Sequence, residues 1–407
     1  MVLQTRPAPV WESLNIPFHV PIDNRIELYQ EFLGRQNDSI RQQMRTYMES
    51  LLLAMLDIEA SDIDMGGSGC SGYVWYRIHG DKKPVREETY DLAETDLYLL
   101  NLLTDRQIEK LLHEHSIDFS YSIILENGRE QRFRATIYKD LNHIALNMRK
   151  INEEIRPFKS FGFHPEVARA LSLNYIKYGL TLVTGITGSG KSSTLDAIID
   201  ANNRTCDAHI VIIASPVELV HKSKRCIVRH REVGRDVRSF RHGAVESLRQ
   251  DPDIIMIGEL RDEETIKTAL EITDSGHKIF STLHTASATE SIDRIIGEVN
   301  VNQQERVRNR LADVLTCVIS QKLVPSTDGK RVLAKEVLLA TPSVKAAIRN
   351  NNLGEIYQMI NEGGAIGMVT LEQDLKRLYL ERKITLENAK GYANNKTRIR
   401  ELLNLDA

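Results

Sequence analysis

The chain has 407 residues, 42% of them hydrophobic and 27% charged, with a formal net charge of −3. That length suggests two or three domains, and the composition is ordinary globular, neither disordered nor membrane-spanning. No apolar run approaches the roughly 20 residues that cross a bilayer, and a slightly acidic chain is a poor general binder of nucleic acid. Residues 1–7 lack the apolar stretch of a signal peptide. Cys70, Cys206, Cys226 and Cys317 are scattered without a C-x-x-C pair, which points away from structural zinc and from a disulfide framework. A cytoplasmic protein with no transmembrane segment of its own is expected.

Residues 1–40 contain Pro7, Pro9, Pro17 and Pro21 with little periodicity, so an irregular N-terminal extension is expected there. From 39 to 58, Met44, Met48, Leu51, Leu52, Met55 and Leu56 recur at the spacing of an amphipathic helix. The turn Gly66-Gly67-Ser68-Gly69 leads to a strand over 73–80, and a helical stretch spans 92–113. Strands over 119–125 and 131–138 flank Asn127-Gly128, a hairpin signal, and another strand covers 143–150. Together residues 41–157 read as an α+β domain, followed by a linker and helix over 158–178.

From 179 to 340 strands and helices alternate, the pattern of an α/β core with a parallel sheet between helices. Leu180-Thr181-Leu182-Val183-Thr184 reads as a buried strand. It runs into Gly185-Ile186-Thr187-Gly188-Ser189-Gly190-Lys191-Ser192, and an amphipathic helix starts at Ser193. Strand, glycine-rich loop with Gly-Lys-Ser, then helix is the context of a phosphate-binding P-loop. Gly185, Gly188 and Gly190 let backbone N–H groups curl around phosphates, with Thr187, Ser189 and Ser193 among the contacting positions. Lys191 would reach the β- and γ-phosphates, and the Ser192 hydroxyl would join a Mg²⁺ shell. ATP with Mg²⁺ is the expected ligand. Further strands are expected over 209–213, 254–257 and 278–283. Residues 341–407 read as helical throughout, over 344–350, 353–362, 371–381, 386–393 and 396–404.

Three further positions follow apolar strands. Glu259 closes Asp253-Ile254-Ile255-Met256-Ile257-Gly258, and at that end of an open sheet it can hold Mg²⁺ directly or through water. Glu218, after Ile210-Val211-Ile212-Ile213, could orient an attacking water as general base, or be a surface acid. His277 and His284 flank a strand and could both face a γ-phosphate, although a histidine at a strand end is more often structural. The basic stretch from Lys222 to Arg241 reads as a solvated face, a subunit contact or a source of arginines acting in trans. It lacks the interleaved aromatics of a nucleic-acid binder.

These motifs resemble the PilT-like pilus-retraction ATPases, within the type II/type IV secretion ATPases, from about residue 60 to 393. The resemblance rests on Ala60-Ser61-Asp62-Ile63, Phe133-Arg134, the 185–192 loop and Arg231-Glu232-Val233-Gly234-Arg235-Asp236. Leu248-Arg249-Gln250-Asp251-Pro252-Asp253, Gly258-Glu259-Leu260-Arg261-Asp262, Ser275-Gly276-His277, Thr282-Leu283-His284-Thr285 and Gly363-Gly364-Ala365-Ile366-Gly367-Met368 complete it. It implies a PAS-like N-terminal domain, a RecA-like motor domain, a homohexameric ring, and ATP in the cleft between the domains. It also implies Glu218 as the base, Glu259 as the Walker B acid, His284 in a "His box", and Arg134 and Arg149 as arginines approaching the phosphates. The ring would disassemble a pilus through an inner-membrane platform protein and associate peripherally with that membrane. Two departures mark this chain. Ala214 and Ser215 stand where the family usually has acids, and Asn350-Asn351-Asn352 follows Ala347-Ile348-Arg349 in place of the retraction-associated motif. The four-cysteine zinc module of extension relatives is missing, which favours the retraction branch or a related secretion motor. A weakly active nucleotide-binding regulator and a DNA translocase are the competing readings.

Overall fold

The computed structural model describes residues 6, 7, 14, 16, 17, 19–151 and 154–404. The chain divides into two compact units, Met1–Glu153 and Glu154–Ala407. The first holds a six-stranded antiparallel sheet of β1 (Asp62–Gly66), β2 (Val74–Ile78), β3 (Asp81–Val85), β4 (Ser116–Ile124), β5 (Glu130–Asp140) and β6 (His143–Lys150). Their spatial order is β3-β2-β1-β6-β5-β4. Period-two alternation buries Ile117, Phe119 and Ile123 of β4 and Phe133, Ala135 and Ile137 of β5 against one apolar cluster.

Two expectations for this unit need correction. Residues 22–35 are not irregular: Ile22–Arg35 is a helix that buries Ile26, Tyr29 and Leu33. Its Pro21 sits at the N-cap, where a missing N–H costs nothing. The rest of the expected extension, residues 1–5, 8–13, 15 and 18, lies outside the described residues. The stretch 92–113 is two helices, Leu92–Leu100 and Asp105–Glu114, because Thr104 starts the second with a capping box to Gln107. The short strands β1 and β3 had no run long enough to announce them. The helix expected over 39–58 forms as Asp38–Asp57, capped by the Asn37 side chain on the Ile40 N–H at 2.9 Å.

The second unit is built on β7 (Gly179–Thr184), β8 (His209–Ala214), β9 (Ile227–Glu232), β10 (Ile254–Ile257), β11 (Lys278–Leu283), β12 (Leu315–Pro325) and β13 (Arg331–Leu339). The order is β13-β12-β7-β11-β10-β8-β9, parallel from β9 to β12, with β13 antiparallel at the edge. Every residue of β7, β10 and β11 is buried, and β10, Ile254-Ile255-Met256-Ile257, reads as a continuous apolar run for that reason. The helices Lys191–Thr205, Glu263–Asp274 and Ala288–Gly297 are among those that flank the sheet. Beyond it come Pro342–Arg349, Leu353–Glu362, Leu371–Leu380, Leu386–Tyr392 and Lys396–Leu402. The last three pack Leu371, Leu375, Leu378, Ala389 and Ile399 onto Val324 and Ala334 of the β12–β13 hairpin.

A buried acid sits in this unit. Glu336 of β13 is only 3% exposed and accepts the Ala288 N–H at 2.7 Å. Burial pushes its carboxyl up to about 7, with Glu372 adding repulsion and Lys322 opposing. Between 4.5 and about 7 the folded chain keeps a proton that the unfolded chain has lost. This group's contribution to stability therefore falls as pH rises through that window, and its cost is complete above it. Glu336→Gln keeps an acceptor for Ala288, so its melting temperature should gain on wild type more at pH 8 than at pH 5. The corresponding difference in stability should be on the order of 2 kcal/mol, and equal melting-temperature shifts at both pH values would contradict it.

Candidate active site

Parallel register brings the carboxyl ends of four strands to one edge. Leu283 of β11 pairs with Thr184 of β7, Ile257 of β10 with Ser281, and Ile213 of β8 with Ile257. The loop 185–190, His284, Glu259 and the segment carrying Glu218 each leave the sheet at this edge, where ligands of open α/β sheets bind.

The loop is shaped by backbone that only glycine accepts. Gly185 has φ +147°, and a Cβ there would lie 2.5 Å from the Gln321 carbonyl oxygen and against Ser189 Oγ. Gly190, at φ +89°, is the N-cap of the helix Lys191–Thr205. Ser189 is buried, with no hydrogen-bond partner for its hydroxyl among the described residues, whereas Thr187, Gly188, Ser192 and Ser193 are exposed. Lys191 Nζ donates to the carbonyls of Gly185 at 2.7 Å and Ile186 at 3.2 Å.

Charge converges next to it. Burial pushes the Lys191 ammonium below its usual pKa, and the field of Glu259 opposes that shift. Glu259 Oε1 lies 3.5 Å from His284 Nε2, and its Oε2 accepts from Arg261 Nε at 2.7 Å. Thr282 Oγ1 donates to the Gly258 carbonyl at 2.7 Å, which locks the start of this bend against β11. Burial and then the Lys191 charge hold His284 below its ordinary pKa, so the ring is neutral at neutral pH. The structure thus gathers Lys191, Glu259 and His284.

Other expected residues lie elsewhere. Glu218 is half-buried in the segment after β8, on the far side of β10 from β11. Arg134 and Arg149 belong to the first unit, where they are directly opposed on β5 and β6. Arg149 Nε donates to Asp62 Oδ1 at 2.8 Å, and Arg134 stands 3.7 Å from Asp118. Both guanidinium groups keep substantial exposure. His277 is a correction. It precedes Lys278 at the opposite end of β11 from His284, with its Nδ1 3.3 Å from the Ile272 carbonyl, so the two histidines cannot face one phosphate. Half of the basic residues of the 222–241 stretch are tied into internal ion pairs: Lys224 with Asp200, Arg225 Nε with Asp207 at 3.0 Å, Arg231 with Glu246 at 2.9 Å and Arg241 with Glu264 at 3.5 Å.

One residue had no sequence signal. Gln321 of β12 donates from Nε2 to the Ser189 carbonyl and accepts from Thr194 Oγ1, both at 2.9 Å, so it ties the loop to the helix that follows. Only the pairing of Ser320 with Thr184 brings it there. A cleft of about 440 Å³ opens beside it, lined in part by Gly190, Ser193, Thr194, Leu323 and Arg331.

A P-loop at the carboxyl edge of a parallel sheet, with an acid at a nearby strand end, defines a P-loop nucleotide-binding protein. More particularly, the chain belongs to the Type II/IV secretion system protein family, whose model matches residues 41–403. It is 36% identical over 317 residues to the "Type IV pilus retractation ATPase PilT" of Pseudomonas aeruginosa, covering 78% of this chain and 90% of that relative. It is 34% identical over 345 residues to a "Twitching motility protein" of Neisseria gonorrhoeae, covering 84% and 90%. The crystal structure of the pilus retraction motor PilT with bound ADP superposes with a TM-score of 0.76 at 35% identity, over 86% of this chain and 98% of that one. The chain is accordingly an ATP hydrolase of this family, with the mixed α/β motor fold and C-terminal helices of its relatives.

Replacing Gln321 by alanine leaves two buried partners unmade, at a cost of about 1–3 kcal/mol. We expect Gln321→Ala to lower the melting temperature and to weaken nucleotide binding about tenfold in titration calorimetry. Unchanged affinity would show that the loop holds its shape without this clamp.

Proposed function

We propose that this chain is a motor that hydrolyses ATP to retract a type IV pilus, assembled as a homohexameric ring on an inner-membrane platform protein. The observation that carries the reading is the convergence of Lys191, Glu259 and His284 at one sheet edge, in a chain whose relatives are named for pilus retraction. The exposed loop positions Thr187, Gly188, Ser192 and Ser193, with the N–H groups of the helix N-terminus, hold the phosphates. Lys191 leaves its two carbonyl partners for the β- and γ-phosphate oxygens. The Ser192 hydroxyl and the Glu259 carboxylate are hard oxygen donors that fit Mg²⁺, which when bound neutralises the charge developing on the phosphates. Glu218 takes the proton of the attacking water. The neutral His284 donates a hydrogen bond toward the γ-phosphate, and Arg134 and Arg149 supply further positive charge.

Ala214 and Ser215 favour a second reading, a slow nucleotide-binding regulator of such a motor, because the base keeps no acidic neighbour at those two positions. Steady-state phosphate release decides. Lys191→Ala and Glu218→Gln should each lower turnover by about 10²-fold or more. Glu259→Gln should slow turnover while ATP binding persists. If wild type and all three variants share one background rate, the regulator stands and the motor does not. Excess surface filaments and lost twitching on gene deletion would tie turnover to retraction.

A further inference from the structure

A general base has to keep its carboxylate within about half an ångström of the productive position. Glu218 lies in the segment that leaves the sheet at Ala214 and re-enters it at Ile227, and residues 215–226 contain no helix or strand. Contacts on both sides of Glu218 hold this segment. Before it, the Val217 N–H donates to Glu232 Oε2 at 3.0 Å, on the last residue of β9. After it comes His221, whose side chain is fully buried. His221 Nε2 is 3.0 Å from Asp196 Oδ1, and the His221 backbone N–H donates to His230 Nε2 at 3.0 Å. The two imidazoles stack with centroids 6.1 Å apart and planes 9° from parallel.

Asp196 is on the helix that begins at Lys191. Asp196, Asp200 and Asn203 fall on one face of it, at helical spacing. That face grips the whole segment: Asp200 pairs with Lys224, and Asn203 donates to the Lys222 carbonyl at 2.8 Å and accepts the Lys224 N–H at 3.0 Å. Nothing about apolar packing calls for a histidine at 221. Its Nδ1 is buried with no hydrogen-bond partner among the described residues, and such an atom costs roughly 1–3 kcal/mol. An apolar residue would avoid that cost and lose the link to Asp196.

We propose that His221 is a positioning residue for hydrolysis. Through Asp196 it fixes the segment bearing Glu218 to the P-loop helix, so that the base and the phosphate clasp keep one geometry. Without that bond the segment remains tied by Glu232 before Glu218 and by His230 and Asn203 after it, but Glu218 loses its nearest tie to the P-loop helix. The inference rests on the assignment of Glu218 as base.

The test uses the full chain, with kcat and KM from phosphate release and ATP affinity from a fluorescent analogue. His221→Ala should lower kcat about 10- to 100-fold, the scale of an ångström-sized misplacement. The dissociation constant for ATP should move less than about threefold, because the phosphate clasp is untouched. His221→Gln, whose side-chain amide can still donate to Asp196, should recover most of the rate. Asp196→Ala should match His221→Ala, and the double variant should be no worse than either alone. Wild-type kcat in His221→Ala would overturn the proposal. So would parallel loss of rate, affinity and melting temperature in both the Ala and Gln variants, the mark of a core residue. Glu218→Gln separates the two levels. If it turns over normally, the base assignment falls and this inference with it; if it is inactive while His221→Ala is fully active, only this inference falls.

Discussion

The backbone of Gly185 runs so close to the carbonyl of Gln321 that no side chain fits between them, and much of the site depends on that contact. It is possible because β12 lies beside β7 in register, Ser320 against Thr184, with their two hydroxyls 2.8 Å apart. Close approach at the strand end turns the chain sharply into the loop, and Gly190 then opens the helix. The N–H groups of the helix's first turn therefore point out of the sheet edge, where anionic ligands are favoured. Strand pairing carries the same alignment sideways, so His284 and Glu259 end up close enough to interact, together with Lys191. A one-residue slip of β11 would turn its whole side-chain set over and remove His284 from the cluster.

The sequence was informative wherever a local pattern had one physical meaning. The loop 185–192 needed only its flanking strand and helix to be read, and the fully buried strand β10 declared itself as an unbroken apolar run. The C-terminal helices were legible because their apolar spacing and their caps agree, as with Thr370, which forms a capping box with Gln373. Legibility failed where pairing rather than local pattern decides. Strand β9 runs through the basic stretch as Ile-Val-Arg-His-Arg-Glu, with only Val228 and Glu232 buried, and it is a strand because it completes the edge beside β8. The helix Ile22–Arg35 was hidden by the prolines that precede it. His277 and His284 look equivalent in sequence, and only the direction of β11 separates them. Gln321 could not be found at all from one dimension, since its partners lie some 130 residues earlier.

Buried charges mark places where the fold accepts a cost to hold separate segments together. Lys278 is fully buried at the start of β11, and its ammonium donates to the carbonyls of Ala170 at 2.8 Å and Ile176 at 3.0 Å. Burial pushes it down to about 8, and the Phe280 ring lies 5.6 Å beneath the nitrogen. Those two carbonyls end the helix Pro165–Leu171 and the loop after it, so the cation stands where a helix C-terminus favours one. Replacing it with an apolar residue would leave both carbonyls without this donor, which explains why so expensive a group is kept in the core.

Strand β11 therefore has a chemical function at each end. Lys278 anchors the segment that leads into β7, and His284 stands at the edge that carries the P-loop. The residues after His284 are held in turn by more distant parts of the chain. The Ala286 carbonyl accepts from Asn394 Nδ2 at 3.0 Å, and the Ala288 N–H is taken by Glu336. Asn394 and Asn395 give their own N–H groups to Glu372 at 2.9 and 2.8 Å, so the C-terminal helices are bonded to the same short loop that positions the histidine. Interactions made only through apolar contact could slide as the site changes charge. These are directional hydrogen bonds to backbone atoms, the one from Ala288 to Glu336 fully buried, and they tie the loop to its partners.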